Sequence, residues 1–197
     1  MKEDRTLAGN KCIAAVGRSL VTLLTGQLGA NVTPVLARTE DFEKDNRTGV
    51  FGDKALSIYL YRVDFNKTMR AAWSAASQRD RRSHLPLDLH YLLTPWGKDA
   101  AHEHEILGSA LQALETTSSL SGLLLDASGE FGPDETIQLV MEEISTEAVM
   151  RTFDSLPVDY RLSVPYIARV ARLDGPLIAD GPPVVTAISG ATPTTQL

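Results

Sequence analysis

Cysteine is nearly missing from this chain: Cys12 is the only one in 197 residues. A lone thiol excludes an internal disulfide framework and any zinc site built from several cysteines, and it fits a reducing cytoplasm. Excess positive charge is missing too. The 19 Lys and Arg against 25 Asp and Glu leave a formal net charge of −6, so no broad basic footprint exists for nucleic acid. No uncharged apolar run approaches the roughly 20 residues that a membrane-spanning helix needs. The opening MKEDRTLAGNK carries acidic residues and no apolar stretch of the secretory kind. These absences predict a cytoplasmic protein with neither a membrane nor a nucleic-acid partner.

What is present suffices for one domain. An apolar content of 43% over this length gives a core of useful size, and no repeat of solenoid or propeller length occurs. Ile13, Val16, Leu20, Leu23, Leu24 and Leu28 follow helical spacing until Gly29-Ala30-Asn31 stops them. A short strand is expected over 32–36. Residues 38–53 are charged and turn-rich and read as an exposed loop. Residues 54–65 (KALSIYLYRVDF) read as a central strand covered on both faces. Residues 66–84 form a polar, basic interlude with Lys67, Arg70, Arg79, Arg81, Arg82 and Trp73, and read as a solvated loop.

The most patterned stretch spans 85–114. Leu85, Leu87, Leu89, Tyr91 and Leu93 alternate as in a strand, and Ile106, Leu107, Ala110, Leu111 and Leu114 then take helical spacing. Thr94-Pro95-Trp96-Gly97 is expected to end the strand, with Leu89 facing Leu107 between sheet and helix. Alternation predicts a further strand over 136–141, Ser145 is a plausible N-cap for a short helix, and 160–172 alternates again. Pro165 within that last run predicts an edge strand or a bulge. From Gly175 onward the chain is rich in Pro, Gly, Thr and Ala. This divides it into a domain over 1–174 and a flexible tail over 175–197.

Catalytic chemistry is hard to assemble from these residues. His102 and His104 stand two apart, about 200° from each other on a helix, whereas a zincin helix needs His at i and i+4. Together with Glu103 and Glu105 they read as a solvated first turn, where acids favour the helix dipole. Ser109 lies inside a helix and lacks the Gly-x-Ser-x-Gly elbow. Cys12 precedes an apolar helical face and reads as a small buried hydrophobe. Glu142 and Glu143 point to opposite faces of a strand. Neither a cofactor nor a metal is expected, and the reading is of a protein that is not an enzyme. The alternative is a small α/β enzyme or ligand-binding domain with a site near His90, His102 and His104.

Four segments in order, LSIYLYRVDFN from Leu56, LPLDLHYLLTPW from Leu85, EHEILGSALQAL from Glu103 and YRLSVPYIARVARLD from Tyr160, carry a resemblance. With the opening helix they cover most of residues 12–174. The chain resembles the amino-terminal domain family of the cap, or tail-terminator, protein of extracellular contractile injection systems. These are phage-tail-like particles such as the antifeeding prophage and the Photorhabdus virulence cassettes. The resemblance implies an α/β (α+β) domain, helices packed on a mixed sheet, related to phage tail terminators. It further implies a homo-oligomeric, hexameric ring that ends the inner tube and the sheath, built in the cytoplasm into a particle that can be released. Some members of the family continue into further domains, whereas this chain ends soon after its last strand.

Two features suggest where such a ring would make contact. Arg79, Arg81 and Arg82 could steer an acidic protein neighbour. The pairs Leu177-Ile178 and Val184-Val185 could add a strand to a neighbouring subunit, the other reading of this tail being simple disorder.

Overall fold

In the computed structural model the described residues are 9–29, 31–43 and 49–176, apart from the side chains of 74–80. Six strands form one sheet in the order β1-β2-β3-β6-β5-β4. They span Thr33–Ala37 (β1), Lys54–Phe65 (β2), His84–Gly97 (β3), Ser119–Ser121 (β4), Thr136–Met141 (β5) and Val164–Asp174 (β6). Only β1 runs parallel to its neighbour, β2; the other pairs are antiparallel. Among the described residues four longer helices accompany the sheet: Cys12–Gln27 (α1), Lys67–Asp80 (α2), Ala100–Thr116 (α3) and Thr146–Asp154 (α4). The fold is a mixed-sheet α+β domain, as the family resemblance implies. No helix among the described residues is long and apolar enough to cross a membrane.

The alternating residues supply one core. Leu56 and Ile58 of β2, Leu87, Leu89, Tyr91 and Leu93 of β3, and Tyr166, Ala168 and Ala171 of β6 bury one sheet face. Val16, Leu20 and Leu24 of α1 and Ile106, Ala110 and Leu114 of α3 cover it. Cys12 is fully buried beside this layer, and burial, then the charges of Glu135 and Asp174, push its thiol up to about 11. Leu107 is buried but does not join this cluster. Ile106 takes the position expected for it, because one residue turns a helix by about 100°.

Several boundaries differ from the sequence reading. Thr94-Pro95-Trp96-Gly97 does not end the strand: β3 continues, with Pro95 opposite Leu56 and Gly97 opposite Lys54. Pairing to β6 stops at Leu93 opposite Val164, so Pro95 is flanked by β2 alone and its missing N–H costs little. The supposed exposed loop after β1 buries Phe42 and Phe51. Residues 66–84 are largely helix α2 rather than loop. Strand β2 is central but buried only through Ile58; Val63 and Phe65 are exposed.

Strand β6 begins at Val164, not Tyr160, and it is internal rather than an edge. Its irregularity falls between the pairs Leu87–Ala171 and Leu89–Ala168, away from Pro165. That extra residue shifts the inward set from Tyr166 and Ala168 to Ala171. Pro165 is tolerated because β5 pairing begins one residue later, at Tyr166 opposite Met141.

Candidate interaction surfaces

The second sheet face divides into an aromatic end and a polar end. At the aromatic end Phe51 stacks on Trp96 with centroids 4.6 Å apart, and Phe42 lies edge-on to Tyr59 at 5.4 Å. Ala55, Leu92 and the inner side of α4 (Val149, Phe153), with Leu156, complete this cluster. Ser145 caps α4 by accepting the Ala148 N–H at 3.2 Å. The Trp96 Nε1–H donates to Ser57 Oγ at 2.9 Å, and the Arg161 guanidinium lies 4.5 Å over the indole while pairing with Glu103. Sequence reasoning missed this cluster, although two phenylalanines in a charged stretch are a usable signal, since phenylalanine is usually buried.

The polar end gathers around Glu142, just past β5. Its carboxylate accepts hydrogen bonds from the Tyr61 hydroxyl and the Arg62 guanidinium at 2.8 Å and lies 2.9 Å from His90 Nδ1. On the other side of the ring, His90 Nε2 is 3.3 Å from Asp64, which Arg62 also holds at 3.0 Å. His90 is only 4% exposed. Burial works to raise the Glu142 pKa, but hydrogen bonds from His90 and Tyr61 and the Arg62 charge outweigh it and hold the carboxyl below its usual range. Burial, followed by the Glu142 carboxylate, pushes the Tyr61 hydroxyl up. These groups engage one another, so the cluster fastens β2 and β3 to the end of β5.

The three histidines of the enzyme alternative do not come together. His90 stands seven residues before Gly97 on β3, roughly 20 Å along the strand from the turn that carries His102. In that turn Asp99 caps α3 by accepting the His102 N–H at 2.9 Å, and the His102 ring accepts the Lys98 N–H at 3.4 Å. His104, two residues on, is exposed. Among the described residues no group of three or more His, Cys, Asp or Glu could hold a metal ion.

Of the expected contact residues, Arg79 lies in α2, its side chain outside the described set. Arg81 occupies the turn after α2 with φ of 60°, and Arg82 is half-buried beside it. Leu177, Ile178, Val184 and Val185 lie outside the described residues. Trp73 of the same helix receives the Arg172 guanidinium 5.8 Å over its ring.

Among the exposed apolar side chains, two groups stand at the ends of the strands. Val63, Phe65 and Leu85 stand at one end, where Phe65 pairs with Leu87. Met141, Met150, Tyr160 and Leu162 stand toward the other. There Phe153, Leu156 and Tyr160 line an open cavity of about 640 Å³ with Asp154 and Asp159 on its rim.

This six-stranded sheet, with α1 and α3 on one face and α4 on the other, is similar in fold to two terminators of known structure. The chain matches the PVC sheath/tube terminator of an extracellular contractile injection system, in its extended state, with a TM-score of 0.56 and 20% identity. That match covers 93% of this chain and 64% of the other. It matches the anti-feeding prophage cap, a tube-terminating cap, with a TM-score of 0.56 and 16% identity over 91% of this chain and 60% of the other. The chain thus spans less than two thirds of each, and at these identities the likeness is one of fold. No curated protein sequence matches it. Residues 15–187 match the Pvc16 N-terminal domain, and the chain belongs to that family.

Proposed function

We propose that this protein is a terminating cap of a contractile injection system: a structural ring that ends the inner tube and the sheath. The observation that carries this reading is the family match over residues 15–187, joined to the fold shared with two terminators. The chemistry of the chain agrees. Its buried polar cluster ties strands together, and two groups of its exposed apolar side chains sit at strand ends, where a neighbour could cover them. The partners are further copies of the chain in a hexameric ring, the last tube layer and the last sheath layer. Assembly takes place in the cytoplasm before the particle leaves the cell.

Within that ring Arg79, Arg81 and Arg82 form a steering surface, and residues 177–197 form an extension onto a neighbour through Leu177, Ile178, Val184 and Val185. Gly175 belongs with the folded part, because its N–H donates to the Ser83 carbonyl at 2.8 Å. A truncation should therefore begin at Leu177. Deleting the gene is expected to give tubes and sheaths of variable length, seen by electron microscopy of purified particles. Truncation at Leu177 should reproduce that defect while the shortened protein stays soluble. Particles of normal, narrow length lacking this protein altogether would refute the cap reading.

A further inference from the structure

The apolar surfaces at the two strand ends carry opposite charge. At the start of α2, Lys67 and Arg70 are exposed beside Val63, Phe65 and Leu85, and the Arg70 guanidinium lies 5.2 Å over the Phe65 ring. Of the nearby acids, Asp64 is paired with Arg62 at 3.0 Å and Asp88 accepts a hydrogen bond from the Asn66 amide at 3.1 Å, which leaves Lys67 and Arg70 as the exposed cations of this turn. The basic character continues along the chain into Arg81 and Arg82. At the other end Met150 and Tyr160 are 48% and 47% exposed. Asp154 and Asp159 line the same cavity as Met150 and Tyr160, and Glu143 lines the neighbouring one with Tyr160; none of the three acids has an ion-pair partner among the described residues. Glu147 is paired with Arg151 at 2.7 Å, and Arg161 with Glu103.

Position decides what these two surfaces can do. Strand β6 runs from Val164 beside the acidic end to Asp174, which pairs with His84 at the basic end. Its eleven residues span roughly 35 Å, so one molecule cannot bring the two surfaces together. A second copy can. We infer that the acidic, apolar surface of α4 and Tyr160 docks on the basic, apolar surface of Phe65 and the α2 N-terminal turn of the next copy. Such a contact joins two different patches and is heterologous, the type that closes into a ring when the rotation allows. Apolar centres supply the buried area, and the charges at their rims set register and exclude the reverse pairing. The inference rests on the ring reading above and names the surfaces that build it.

Charge reversal tests it on the full-length chain. The acid-end variant carries Asp154→Lys and Asp159→Lys; the base-end variant carries Lys67→Glu and Arg70→Glu. All four positions are exposed, the new lysine at 154 sits at a helix C-terminus and the new glutamates in a first turn, so each variant should melt like wild type. Each alone now opposes like charges across the contact. Association measured by analytical ultracentrifugation and native mass spectrometry should weaken about tenfold or more, an effect that shrinks with added salt. Mixed in equal amounts, the variants present opposite charges at every junction of an alternating ring. Oligomers should reappear, containing even numbers and equal amounts of the two.

If either variant alone assembles as well as wild type, or if the mixture fails to recover, the proposed contact is wrong and the cap reading stands with a different interface. If the wild-type chain forms no oligomer at any concentration and is absent from particle ends, the cap reading fails and takes this contact with it.

Discussion

Replacing Glu142 by glutamine removes one charge from a buried cluster while keeping its shape. The wild-type carboxylate accepts from Tyr61 and Arg62 and meets His90, and its side chain is only 9% exposed. The amide oxygen of glutamine can keep one of these donors, but its NH2 group turns a donor toward the others. Hydrogen bonds to a charged group contribute about 1.5–3 kcal/mol, so Glu142→Gln should cost about 2 kcal/mol at neutral pH. For a chain of 197 residues that lowers Tm by roughly 4–8 °C. The pH dependence is the sharper test. Because the folded-state pKa of Glu142 lies below its unfolded value, the carboxylate stabilises the fold fully above the ordinary glutamate range of about 4.3. That stabilisation is lost as pH falls through the lowered folded value. Urea unfolding of both proteins from pH 7 downward should show a gap that closes toward acid. A gap of the same size at every pH, or a variant as stable as wild type at pH 7, would show that ionised Glu142 does not hold this corner of the sheet.

Leu89→Ala, at a fully buried position between sheet and helices, should lose about 2–5 kcal/mol in urea unfolding. Leu107→Ala, outside that cluster, should lose less; the reverse order would contradict the described packing. Trp96→Ala removes the indole that stacks on Phe51 and bonds Ser57 and should cost roughly 3–5 kcal/mol by the same assay. Asp99→Ala should cost about 1 kcal/mol through loss of the α3 N-cap, while His102→Ala and His104→Ala should each stay within about 0.5 kcal/mol. A large loss in the histidine variants that added metal reverses would revive the enzyme alternative. Cys12, with its thiol pushed up to about 11 by burial, should react with a disulfide reagent at pH 8 only as fast as the chain opens.

Period was the legible part of this fold, and local chemistry at element ends was not. The strand over 136–141 and helices α1 and α3 repeat their buried residues at spacings that only one secondary structure satisfies, and the strand over 54–65 was legible from its β-branched and aromatic content. Residues 66–84 defeat that logic because the segment is rich in charged and small residues, with Met69 and Trp73 as its only large apolar side chains before Leu85, and so short an apolar signal reads as a loop. Pro95 and Pro165 misled for a different reason. Proline excludes a ladder bond only where a neighbour would receive it, and whether a neighbour is there depends on where a distant strand ends. The aromatic cluster likewise joins Phe42, Phe51, Trp96 and Phe153 from four separate stretches.

The two strand-end surfaces were half legible. Their basic member was visible as a run of charges along the sequence. Its acidic counterpart was not, because Glu143, Asp154 and Asp159 are spaced without a pattern and gain meaning only when α4 sets them around Met150 and Tyr160. Surfaces that close a ring are selected in three dimensions, against a copy of the same molecule, and no period within one chain records that pairing. A domain whose core can be read from its sequence can therefore keep its assembly contacts hidden until the fold puts opposite charges at opposite ends of one strand.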